Sequence, residues 1–301
     1  MSKPIRRSEL TCPGHSLKMM TRAAAVGADE VIFDLEDACA VSQKEGARAT
    51  VIEAFRTATF ADNTIRAYRI NGVETPWCYR DVIDIIEAVG SRVEVVVIPK
   101  VRSAADVQFV DRLLTQIERA RGLPVGAIAL EALLETAQSI LSAEAIAKAS
   151  PRLKSLIFGV ADYAGEIGAR NFREQQAEVF AYPRAHLLAA ARAAGLDAID
   201  SVTVQFKDLE QVKRDAEHAA RLGFDGKWAI HPAQLEVIHQ VFTPTVDELA
   251  RAQKIVDAYA TADTRDGLGA IVVDGEMIDA ATLTTERRKL EIARRVAKPT
   301  A

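Results

Sequence analysis

Two short apolar runs in the middle of this chain each end in an acidic residue: residues 127–135 (AIALEALLE) close on Glu135, and residues 156–162 (LIFGVAD) close on Asp162. A run too short for a helix, followed by a helix-forming segment, reads as a buried parallel strand whose C-terminal end carries an oxygen ligand. Two such ends suit one hard cation held between them. Other runs end similarly. Asp34, Glu36 and Asp37 follow one, Arg69 and Asn71 another, and Lys100, Gln205 and His231 three more. Packing alone does not explain acids and bases recurring at the same end of successive strands.

Taken singly, each residue has a plainer reading. Glu135 suits a helix N-terminus, Arg69 suits a pair with Asp34 or Asp37, His231 suits a structural hydrogen bond, and Asp279 suits a turn or cap. The cluster Asp34, Glu36 and Asp37 reads as orienting Arg69 or Lys100 rather than as binding metal.

The elements that must position these residues alternate along the chain. Strands are expected over residues 7–12, 31–35, 64–70, 93–98, 127–135, 156–162, 199–204 and 227–230, with helices between them, the first capped by Ser16 and stopped near Gly27. Eight alternations in roughly 230 residues, with no glycine-rich phosphate turn after any strand, predict a (β/α)8 TIM barrel rather than a doubly wound sheet. The barrel is expected over residues 1–242. Residues 243–301 read as a small C-terminal helical extension, too small for a core of its own, that packs on the barrel or on a neighbouring subunit.

Composition narrows the function. The 38 basic and 42 acidic residues of this 301-residue chain leave a net charge of -4, and no basic stripe points to nucleic acid. No apolar run approaches the roughly 20 residues of a membrane span. Cys12, Cys39 and Cys78 are too few and too scattered for a disulfide framework or a metal knuckle, and no base stands at a spacing that would make one a nucleophile. A cytoplasmic location is expected.

Eight fragments in order resemble the citrate lyase β subunit family, which includes malyl-CoA, β-methylmalyl-CoA and citramalyl-CoA lyases and is related to the HpcH/HpaI aldolases. They are RRSELTCPG, FDLEDACAVSQKEGAR, YRINGVETPW, VIPKV, LEALLETAQSIL, IFGVADYAGEIGAR, GFDGKWAIHPAQ and VDGEMID, spread over essentially the whole chain. The resemblance implies a Mg2+-dependent (Mn2+ as an alternative) carbon-carbon lyase that cleaves a 3-hydroxyacyl-CoA to an acyl-CoA and a 2-oxo acid through a stabilised enolate. It implies Glu135 and Asp162 as metal ligands, Arg69 over the thioester or oxo-acid oxygen, and Asp279 as an acid-base group closing over a neighbouring subunit of a homotrimer or hexamer. Coenzyme A, as part of the substrate, is expected against Arg7, Arg22, Ile230 and His231. Ser16 stands where some malyl-CoA lyases carry arginine. Within the family a citryl-CoA lyase subunit working with an acyl-carrier protein and a malyl-CoA thioesterase are the alternatives, and outside it a CoA-binding scaffold.

Overall fold

The computed structural model describes residues 4–173, 176–266 and 269–297. Eight parallel strands close into a barrel in chain order: β1 (Ser8–Pro13), β2 (Glu30–Asp34), β3 (Ile65–Arg69), β4 (Val95–Ile98), β5 (Ala129–Leu134), β6 (Leu153–Phe158), β7 (Asp197–Asp200) and β8 (Gly226–Ala229). The expected TIM barrel is therefore the observed one. Closure between β8 and β1 depends on Gly226, where a Cβ would sit 1.8 Å from the Arg6 carbonyl oxygen. Only a residue without a side chain lets the two backbones meet there.

Side-chain parity sorts the barrel into layers. Val31 and Phe33 of β2 point outward under the helices, where Phe33 packs on Phe55 at 4.8 Å between ring centroids. Ile32, Ala67, Val95, Val97, Leu133, Ile157, Ile199 and Trp228 point inward and form an apolar middle layer. Below that layer, toward the strands' N-terminal ends, lie Glu9, Glu30, Glu131 and Asp197, all buried. Above it lie Asp34, Arg69 and Glu135. A charged mouth and a charged floor are thus separated by a dry plug.

Helix ends follow the local sequence. The Ser16 hydroxyl accepts from the Met19 amide, and Ser103 with Asp106 forms a capping box at the start of the helix Ala104–Arg121. That helix stops at Gly122, whose φ of 67° is the left-handed conformation a terminating glycine adopts.

Three elements depart from expectation. β6 ends at Phe158 and a helix begins at Val160, so Asp162 lies in the first turn of that helix (Val160–Glu166) and not on a strand end. β7 covers Asp197–Asp200, so residues 201–204 belong to the loop above it. The segment near residue 271 is one arm of a hairpin, β9 (Ala270–Val273) with β10 (Glu276–Asp279), which turns through Asp274 and Gly275 at φ of 50° and 83°.

The described residues from Gln240 onward, with Pro4 and Ile5, form a second compact unit distinct from Arg6–His239. Contrary to expectation it has a small core of its own. Ile255, Val273, Ile278 and Leu283 bring the hairpin and the helices Val246–Asp266 and Ala280–Ala297 together. Among the described residues no helix is long and apolar enough to cross a membrane, and the three cysteines are buried and free.

Candidate active site

The barrel mouth opens into a cleft of about 150 Å³ lined by Thr11, Asp37, Arg69, Glu135, Asp162 and Ile230 over a floor that includes Leu133, Phe158, Val202 and Trp228. Its geometry begins with Arg69, the last residue of β3. Its Nε and Nη2 donate to the two oxygens of Asp34, the last residue of β2, at 2.7 and 2.6 Å. Register pairs these two residues across adjacent strands, so the bidentate bond is built into the ladder. Asp34 is itself oriented by the Glu36 and Ala38 amides, and the guanidinium lies 5.5 Å from the Trp228 ring centroid. Burial opposes the charge on Arg69, but Asp34, Glu36 and Glu135 around it hold it more firmly protonated than an ordinary arginine.

Lys100 ties the other side of the mouth together. Its backbone takes a left-handed φ of 52°, a conformation that costs a non-glycine residue about 1–2 kcal/mol. In that conformation its amide donates to Glu135 Oε1 at 2.8 Å, while its Nζ lies 2.5 Å from Glu36, 3.1 Å from Asp37 and 3.8 Å from Asp162. One residue therefore touches both carboxylates expected to bind metal.

Glu135, just beyond β5, is 2% exposed. Burial, reinforced by the charges of Asp162 and Glu36 and opposed by Arg69, pushes its carboxyl well above the usual range. The mouth as a whole holds five carboxylates (Asp34, Glu36, Asp37, Glu135, Asp162) against the two cations Arg69 and Lys100. A divalent cation fits this set. It meets oxygen donors only, it offsets the surplus negative charge, and it supplies the partner that a buried Glu135 carboxylate needs to stay ionised.

Gly159 makes room for that carboxylate. A Cβ there would lie 2.5 Å from Glu135 Cβ and 2.7 Å from its Oε2, while the backbone φ of -100° is one any residue adopts. Gly159→Ala should therefore act only by displacing Glu135. We expect Mg2+ affinity measured by calorimetry to fall about 10–100-fold, the range seen when a group that positions a metal ligand is disturbed; unchanged affinity would contradict this placement.

Other expected site residues divide. Ile230 lines the cleft with Arg69, Glu135 and Asp162. His231 caps the turn Pro232–Gln234, accepting from the Ala233 amide, and stacks on Phe206 at 4.7 Å. Arg22 is exposed in the last turn of the helix Leu17–Ala24. Arg7 is a correction. It precedes β1, at the end of the barrel opposite the mouth, and its guanidinium chelates Asp29 at 2.8 and 2.9 Å. Asp279 lies in the C-terminal unit, where it accepts from the Thr282 amide and hydroxyl and caps the helix Ala280–Ala297; those hydrogen bonds hold its carboxyl below the usual range. Thr11, Gly159 and Trp228 had no assigned part in the sequence reading. Trp228 and Thr11 were accessible by parity, two residues before Ile230 and two after Glu9 on their strands, whereas the role of Gly159 is visible only in three dimensions.

An eight-stranded barrel with an arginine, an acid-rich mouth and no nucleophilic cysteine in its cleft defines an enzyme of the oxygen-ligated metal type. The chain belongs to the HpcH/HpaI aldolase/citrate lyase family, whose pattern it matches over residues 7–232. It is 37% identical to an L-malyl-CoA/β-methylmalyl-CoA lyase of Cereibacter sphaeroides over 92% of this chain and 91% of that protein. It is 38% identical to a (3S)-malyl-CoA thioesterase of the same species, with 97% and 95% covered. Among solved structures it resembles protein CitE from Mycobacterium tuberculosis in complex with magnesium, acetoacetate and coenzyme A, with a TM-score of 0.78, 28% identity, and 96% of this chain and 98% of that one covered.

Proposed function

We propose that this protein is a Mg2+-dependent carbon-carbon lyase that cleaves a malyl-, β-methylmalyl- or citramalyl-type CoA thioester into an acyl-CoA and a 2-oxo acid. The observation that carries the reading is the convergence of Arg69, Glu135 and Asp162 on one cleft, with the Lys100 amide bonded to Glu135 and its ammonium 3.8 Å from Asp162. Glu135 and Asp162 would hold the cation. When bound, Mg2+ supplies positive charge at oxygen while the carbon-carbon bond breaks.

The chain's own residues do the rest. Arg69, fixed by Asp34, presents a guanidinium that cannot lose its proton to the oxygen that gains charge as the acyl-CoA enolate forms. Leu133, Phe158, Val202 and Trp228 give the cleft an apolar floor that excludes water from that charge. Proton transfer to and from the substrate falls to Asp279, contributed by a neighbouring subunit of a trimer or hexamer. Coenzyme A lies along Ile230 and His231, and the protein works in the cytoplasm.

A panel of malyl-, β-methylmalyl-, citramalyl- and citryl-CoA with Mg2+ tests this, with the oxo acid and free CoA followed separately. Oxo acid and acyl-CoA in equal amounts, without an acyl-carrier protein, are expected from at least one of the first three. The similarity to a malyl-CoA thioesterase gives the second reading its specific support; free CoA with an intact hydroxy acid would replace the lyase assignment with it.

A further inference from the structure

Beneath the apolar layer, at the opposite end of the barrel from the cleft, three glutamates meet. Glu9 of β1, Glu30 of β2 and Glu131 of β5 point inward and are fully buried, and one oxygen of each lies within 4.8 Å of the others. Arg6, which precedes β1, reaches in among them, donating from Nε to Glu131 at 2.7 Å and to Glu30 at 3.2 Å, and from Nη1 to Asp197 at 3.3 Å. Those bonds use one oxygen each of Glu30 and Glu131 and none of Glu9. Both oxygens of Glu9, Oε1 of Glu30 and Oε2 of Glu131 have no hydrogen-bond partner.

A residue outside the acidic cluster points to what completes it. Ser155 of β6 stands opposite Glu131 in the ladder and two residues before the inward-facing Ile157, so its side chain enters the same space. It is fully buried, and its hydroxyl makes no hydrogen bond within 3.5 Å although it faces Glu131, whose carboxylate it favours. Buried polar atoms without partners are rare, and four carboxylates around one guanidinium are rarer. Burial, with repulsion from Glu131, pushes Glu9 and Glu30 well above the usual carboxyl range.

Protons or a cation must compensate this charge. A proton shared by Glu30 and Glu131 would satisfy two oxygens and leave both oxygens of Glu9 unserved. An ion at the centre serves every orphaned side chain at once. The ligand oxygens of a hard cation fit within the 4.8 Å that bounds this cluster, and in an all-protein site Mg2+ gives up its water more reluctantly than Ca2+.

We propose that the barrel floor is a structural cation site, in which Glu9, Glu30, Glu131 and the Ser155 hydroxyl hold one hard divalent ion of about the size of Ca2+. It is independent of the catalytic mouth, from which Ile32, Leu133, Ile157 and Trp228 separate it. With no exposed ligand, the ion enters as the barrel folds and leaves only when it opens.

The test uses the full chain carrying Glu135→Gln and Asp162→Asn, so that metal at the mouth does not contribute. The protein is refolded in CaCl2 or, separately, MgCl2, dialysed against EDTA while native, and assayed by inductively coupled plasma mass spectrometry. One equivalent per chain is expected to survive, to be released in guanidinium, and to be higher for Ca2+ than for Mg2+. Adding Glu9→Gln should lower the retained metal at least tenfold. A native, EDTA-treated protein without metal from either salt overturns the proposal, and this measurement stands even if the Glu9 variant fails to fold. So does a folded Glu9→Gln variant that keeps the equivalent. A failure here leaves the lyase assignment untouched, because that is read from turnover of the unmodified protein.

Discussion

Glu135→Gln is expected to abolish measurable turnover and to weaken Mg2+ binding by about a hundredfold or more, since even groups that only orient a metal ligand are worth 10–100-fold. The substitution keeps the volume of the side chain and an oxygen that can accept from the Lys100 amide. What it removes is the charge. In a mouth where carboxylates outnumber basic groups, a bound Mg2+ would be what lets Glu135 ionise while 2% exposed.

The same substitution has a second, opposite signature. A buried carboxyl whose pKa is raised in the folded protein contributes stability that is fully present below its unfolded value and is lost as pH rises through the folded one. Metal-free protein should therefore lose stability as pH rises through the elevated Glu135 pKa. The glutamine variant should lose less over that window. Calorimetry with Mg2+ and thermal melts against pH in EDTA separate the two effects, and a variant with normal Mg2+ affinity and normal turnover would end the assignment of Glu135 to the metal.

How far such a site can be read before folding depends on what local pattern encodes. β5 shows the easy case. ALEALLE is a nearly continuous apolar run too short for a helix, and Glu135 stands at its C-terminal end with a helix following, so its place in the mouth follows from the strand's length and direction. By parity Glu131 points inward four residues earlier, but an acid in the middle of an apolar strand has no local reading; it makes sense only beside Glu9, Glu30 and Arg6. Asp162 lines the cleft, but from a helix and not from the strand end that the sequence suggests. LIFGVAD is apolar whether extended or helical, so periodicity cannot locate the change at Gly159, and it is the first helical turn that aims the carboxylate at the cleft.

Lys100 and Arg7 mark the two kinds of miss. The left-handed backbone at Lys100 has no composition signal, because neither glycine nor asparagine occupies the position. Arg7, by contrast, precedes its strand, and residues at that end of a barrel serve stability rather than chemistry; carrying a family role onto it overrode a rule that the sequence already satisfied. The hairpin β9–β10 was available too, since Asp274-Gly275 between two short apolar segments is a strong two-residue turn signal.

Arg69 should separate folding from chemistry. Arg69→Met leaves Asp34, which is fully buried, without its bidentate partner, and breaking a buried pair in this way costs about 3–5 kcal/mol. For a domain of this size that corresponds to a fall of roughly 10 °C in melting temperature, at about 2–4 °C per kcal/mol. Turnover should fall about 100–1000-fold through loss of the preorganised donor. Adding Asp34→Asn removes the stranded charge, so the double variant should recover most of the stability and none of the rate. Arg69→Lys should lie close to the methionine variant in rate, because a single ammonium cannot meet both Asp34 oxygens and Glu36 as the planar guanidinium does. Recovery of activity in the double variant would reduce Arg69 to a structural partner of Asp34 and leave the developing charge to the cation alone.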